Sequence, residues 1–78
     1  MPTVMRIGPY RFFFYSNERG EPAHIHVQRD RALAKFWLEP VSLAQSKHYS
    51  AQELNVVRKH IEDNITTMLE AWNEHLGD

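Results

Sequence analysis

The sequence predicts an α+β fold: a small antiparallel sheet of about four strands with one long C-terminal helix packed across one face. Three observations carry this. Over residues 1–49 apolar side chains come in short runs that alternate with polar ones, separated by Gly8-Pro9, the polar run Asn17 to Pro22, Arg29-Asp30-Arg31 and Pro40. From Ser50 the apolar period changes to three or four residues, which is the period of a helix. Strands first and helix last is an α+β order. With 78 residues the chain can bury only one core, so 1–78 reads as a single domain, sheet over 1–49 and helix over 50–77.

Taken in order, Thr3 to Ile7 reads as a short strand and Gly8-Pro9 as a turn. Tyr10 to Ser16 holds Phe12, Phe13, Phe14 and Tyr15, the densest aromatic and therefore strongest strand signal in the chain. A polar loop precedes the histidine strand His24 to Gln28, and Ala32 to Leu38 follows. Pro40 ends that strand, because proline has no N–H for a ladder. Val41 to Ala44 can add a short strand before the polar linker Gln45 to His48.

Ser50 and Glu53 then make a capping-box pattern, flanked by the staple pair Tyr49 and Leu54. Leu54, Val57, Ile61, Ile65, Met68, Trp72 and Leu76 form one apolar stripe, and Gly77 suits the end. Such a helix is about 39 Å long at 1.5 Å per residue.

Composition excludes several classes. There is no cysteine, hence no disulfide and no thiolate metal site. No basic leader precedes a long apolar run, and no stretch is apolar enough to span a membrane, so a soluble, cytoplasmic protein with no membrane association is expected. Three isolated glycines supply no phosphate-binding loop, and no nucleophilic-serine motif or helical zinc-protease histidines occur. No cofactor is expected. Net charge is −1, yet residues 1–50 hold seven Lys and Arg against four Asp and Glu, and residues 51–78 hold two against six. A basic sheet and an acidic helix are the consequence, the first suited to an anionic ligand and the second to a basic partner.

Period-two alternation assigns the sheet faces. Phe12, Phe14, Ile25, Val27, Ala34, Phe36 and Leu38 form an apolar face for the helix. The opposite parity collects Arg11, Phe13, Tyr15, His24, His26, Lys35, Trp37 and Glu39. One helix covers one face, so this second face is expected to meet a ligand or a second copy of the chain.

His24 and His26 stand at its centre, because two histidines one residue apart on a strand point the same way. They can serve as general acid and base near neutral pH, the chemistry of RNA phosphodiester cleavage, with Arg11 or Lys35 balancing the developing charge. Phe13, Tyr15 and Trp37 can stack unpaired bases, and Glu39 lies on the same parity as a further ligand contact. The plain alternative is that the aromatics serve packing, the cations a solvated face, and the histidines only an interface. Metal binding is a third reading, but two imidazoles are not a site. Glu18, Glu39, His48 or a second subunit would have to complete it, and the spacing selects none, so no metal is assigned.

The run Tyr10 to Glu18, the segment PAHIHV from Pro22 to Val27, AKFWLEPV from Ala34 to Val41, and EAWNE from Glu70 to Glu74 together resemble a small bacterial family, domain-of-unknown-function family 4160. The likeness spans nearly the whole chain, with Ala23 where the family often has proline. It implies a toxin–antitoxin-type pair with a cognate small partner protein, and supplies no catalytic residues. The expectation is therefore a homo-oligomeric member of such a pair that binds a partner and acts on or binds RNA through the two-histidine strand. The competing expectation is a non-catalytic protein-binding or regulatory module.

Overall fold

Two-residue turns set the topology. In the computed structural model, which describes residues 3–15 and 20–75, β1 (Thr3–Ile7) returns through Gly8-Pro9 into β2 (Tyr10–Phe13) with Ile7 opposite Tyr10. A longer connection leads to β3 (His24–Arg29), which turns at Asp30-Arg31 into β4 (Ala32–Leu38) with Arg29 opposite Ala32. β4 turns at Glu39-Pro40, joined by a cis peptide bond, into β5 (Val41–Lys47) with Leu38 opposite Val41. Gly8 at φ 55° and Asp30 at φ 54° occupy the left-handed region that these two residue types tolerate, and so close their turns without widening them.

The sheet is antiparallel, in the order β1-β2-β3-β4-β5. It has five strands where the sequence suggests about four: the additional strand at Val41 to Ala44 forms, and it continues three residues further, through the segment read as a linker. A bulge allows this. Phe36 pairs with Leu43 but Lys35 pairs with Gln45, so Ala44 is an extra residue without a partner position on β4. Unbroken pairing would set Ala44 and Ser46 opposite Lys35 and Leu33; the bulge sets Gln45 and Lys47 there. β2 is shorter than expected and stops at Phe13. Phe14 and Tyr15, also in its predicted span, follow outside the strand, while Ser16 and the candidate ligand Glu18 lie outside the described residues, as do Leu76 and Gly77 at the helix end.

The single helix expected over 50–77 is two helices, α1 (Ala51–Asp63) and α2 (Ile65–His75). Asn64 divides them. Its backbone N–H donates to Ile61 O at 3.1 Å, its side-chain Nδ2 donates to His60 O at 2.8 Å, and its φ of −122° is not helical. An asparagine whose amide competes for a main-chain carbonyl is a local reason for a break that apolar periodicity cannot reveal. The stripe nonetheless continues across the break: Val57, Ile61, Met68 and Trp72 are buried against the sheet. No helix among the described residues is long and apolar enough to cross a membrane.

Beneath the helices lie Phe12, Phe14, Ile25, Val27, Ala34, Phe36 and Leu38, every residue expected on the apolar face. α1 packs on β5 and α2 on β4. Ser50 caps α1, its Oγ accepting from Glu53 N at 3.1 Å. The carboxylate of Glu53 is drawn into a clamp instead of closing the capping box. Arg29 Nε and Nη2 donate to its Oε2 and Oε1 at 2.5 and 2.9 Å, and Tyr10 Oη donates to Oε2 at 3.0 Å. Because Arg29 continues the inward parity of Ile25 and Val27, the clamp ties the end of β3 to the first turn of α1.

Candidate functional site

The candidate residues come together at β3 but not as equals. His26 is flanked across the ladder by Phe13 on β2 and Lys35 on β4, and His24 by Trp37. The His26 ring stacks on Phe13 at 5.5 Å and meets Tyr15 edge-on at 4.5 Å. The two imidazoles stand perpendicular with centroids 5.2 Å apart. Offset and edge-on contacts of this kind fix ring orientation, since the positive edge of one ring faces the negative face of another.

His24 is enclosed. It is 0% exposed, and its ring lies 4.7 Å from Trp72 of α2 and 5.7 Å from Trp37. Its Nδ1 is 2.9 Å from the Pro22 carbonyl oxygen, and since a carbonyl only accepts, Nδ1 carries the proton. This differs from the open face expected for both histidines. α2 reaches the start of β3 through Trp72, so His24 belongs to the packing behind the face, while His26, at 7% exposure, reaches its surface.

In front of His26 lies a cavity of about 550 Å³. Tyr15, His26 and Lys35 line it together with Leu33 and Ala34 of β4 and Gln45, Ser46 and Lys47 of β5. Sequence reasoning missed the β5 residues. Their signal would have been a bulge, which leaves no pattern that periodicity can detect. Two amines, an imidazole, an amide and a phenol ring thus share one opening, a set suited to an anionic ligand with a flat apolar part.

The remaining candidates are placed elsewhere. Arg11 lays its guanidinium 4.5 Å from the Phe13 ring centre, and its Nε donates to Thr3 Oγ1 at 2.9 Å. Phe13 is 2% exposed, so its ring packs within the sheet and offers no open stacking face. Trp37 carries Lys35 Nζ 4.6 Å from its ring centre. Glu39 is exposed in the β4–β5 turn, past the end of β4 and away from the cavity lining. Lys35 Nζ also donates to Glu21 Oε1 at 2.8 Å.

The clearest perturbed groups are in the clamp on the other side. Bonds from Arg29 hold the Glu53 carboxyl below its usual value of 4.5 against the opposing effect of burial, and Tyr10 adds to the lowering. Burial pushes the Tyr49 phenol up to about 12, with Glu53 adding to the shift. These groups stabilise the joint between sheet and helix, and none lines the cavity. Among the described residues no group of three or more His, Asp or Glu could hold a metal ion.

Comparison with known proteins agrees with the segments named above. No curated protein and no solved structure matches the chain. The family model described as domain of unknown function (DUF4160) matches residues 10–73, a span running from β2 into α2 and containing the cavity lining and both histidines. On that match the chain belongs to the DUF4160 family.

Proposed function

We propose that this protein is the RNA-binding member of a toxin–antitoxin-type pair and holds single-stranded RNA in the cavity before His26. The observation that supports the reading is the convergence of His26, Lys35 and Lys47 with the Tyr15 ring around one opening. Single-stranded nucleic acid is held by cations along the backbone and by aromatic rings beneath the bases. Binding is favoured over cleavage. A two-histidine acid–base mechanism needs both imidazoles at the scissile phosphate, and His24 is enclosed by Trp72, Trp37 and His26.

The test is titration of a fluorescent single-stranded RNA, followed by gel analysis of the same RNA after prolonged incubation. Saturable binding that weakens at least fivefold in His26→Ala and Lys47→Ala, with the RNA intact, supports the reading. Absence of binding sinks it, and shortened RNA restores the catalytic alternative. A second reading, favoured by the burial of His24, is a non-catalytic protein-binding module whose histidines shape an interface. Co-purification with the product of a neighbouring small gene, with no RNA affinity in either protein, would select it.

A further inference from the structure

We propose that Lys35 is the anion subsite of this cavity and that the Glu21 carboxylate occupies it in the unliganded chain, standing in for the phosphate of a nucleotide ligand. The inference deepens the RNA-binding reading, on which it rests for the identity of the ligand. It begins from an asymmetry between the two partners. Lys35 is fixed: it sits in the middle of β4, its side chain is 16% exposed, and its ammonium lies 4.6 Å from the Trp37 ring centre. Cation–π contact and partial burial hold the charge in place before any ligand arrives.

Glu21 is held differently. Its side chain is 46% exposed, and it belongs to the connection between β2 and β3, fourteen residues away from Lys35 and outside any strand. The carboxylate of this pair is half-exposed and screened by solvent, so an incoming anion can compete with it for the ammonium. A carboxylate and a phosphate offer an ammonium the same kind of acceptor, and a phosphate carries more oxygens and more charge.

The second cation is in register to help. Gln45 is directly opposite Lys35, and Lys47 is two residues further along β5, on the same side of the sheet. Lys47 pairs with Leu33, on the other side of Lys35 from Trp37, so it adds positive charge to the far part of the opening while the Lys35 ammonium stays at Trp37. His26, directly opposite Lys35 on the other flank, closes the same group. A phosphate that takes the place of the Glu21 carboxylate on the Lys35 ammonium would leave the nucleoside toward Tyr15 and Gln45, which line the same opening.

The experiment measures binding of uridine 5′-monophosphate, uridine and inorganic phosphate by titration calorimetry and amide chemical shifts. Uridine 5′-monophosphate should bind and uridine should not. Glu21→Gln should tighten the monophosphate about threefold to fivefold, the size of one exposed ion pair. That gain should vanish in Glu21→Gln/Lys35→Met, persist with Lys35→Arg, and be absent from the charge-matched control Glu62→Gln on α1. An equal gain with and without a cation at position 35, or no gain, overturns the proposal, since Glu21 would then act only as diffuse charge. If Lys35→Met unfolds, Lys35→Gln, which removes the charge and keeps a polar side chain, takes its place in the comparison. If RNA fails to bind while the monophosphate follows this pattern, the RNA reading falls and the subsite stands. If the monophosphate does not bind, the subsite falls whatever RNA does.

Discussion

Two buried histidines, of which only His26 lines the cavity, give the residue scale its clearest prediction. His24→Ala removes a fully buried ring and the Nδ1–H bond to Pro22, and should lower unfolding free energy by about 1–3 kcal/mol in urea titrations. His26→Ala should cost less stability and more RNA affinity. The reverse ranking would reassign the two roles. The Glu53 clamp predicts a pH dependence. Its carboxyl is lowered in the folded state, so its contribution is complete above about pH 4.5 and is lost as pH falls through the folded value. The advantage of the wild type over Glu53→Gln in thermal midpoint should therefore shrink in acid. Tyr49 has the opposite sign: with a folded value of about 12 against 10.0, its contribution is present below pH 10 and lost between there and about 12. Tyr49→Phe should flatten that alkaline decline.

At the scale of elements, the joints carry the consequences. Ser50→Ala deletes the acceptor for Glu53 N at the start of α1 and should cost about 1 kcal/mol, read as a shifted urea midpoint with an unchanged slope. The bulge in β5 acts on register alone. Deleting Ala44 leaves Gln45 opposite Lys35 and Lys47 opposite Leu33, so the shortened chain should keep its RNA affinity. Loss of binding with the fold intact, shown by circular dichroism and amide spectra, would mean that local twist at the bulge, and not side-chain registration, builds the cavity.

For the whole molecule, the basic first half and acidic helices predict salt-sensitive binding from the sheet side only. The logarithm of affinity for single-stranded RNA should fall linearly with that of salt concentration, and Lys47→Ala should reduce the slope by about 0.7, one phosphate contact. An unchanged slope would place Lys47 outside the contact. The proposed pair also requires self-association or a partner. Light scattering of the chain alone and with the neighbouring gene product should show at least one complex larger than the 78-residue chain.

Every residue read onto the inward face from alternation, from Phe12 and Phe14 through Ile25 and Val27 to Leu38, is in the core, because one slip on a strand would invert them all; Tyr10 joins them there without having been read so. The start of the helical part was equally legible in the sequence, because a cap acts through the three residues beside it. Features that depend on neighbours distant in the chain emerged only from the fold. Trp72 closing over His24, the extra residue at Ala44 that brings Gln45 and Lys47 into the cavity, the break at Asn64, and Glu21 on Lys35 are of this kind. Periodicity reports which way a side chain points. Whether that direction ends at a cavity, beneath a helix or against an opposite charge is set by what the fold packs there, and this separates His26, which lines the cavity, from His24, which Trp72 covers.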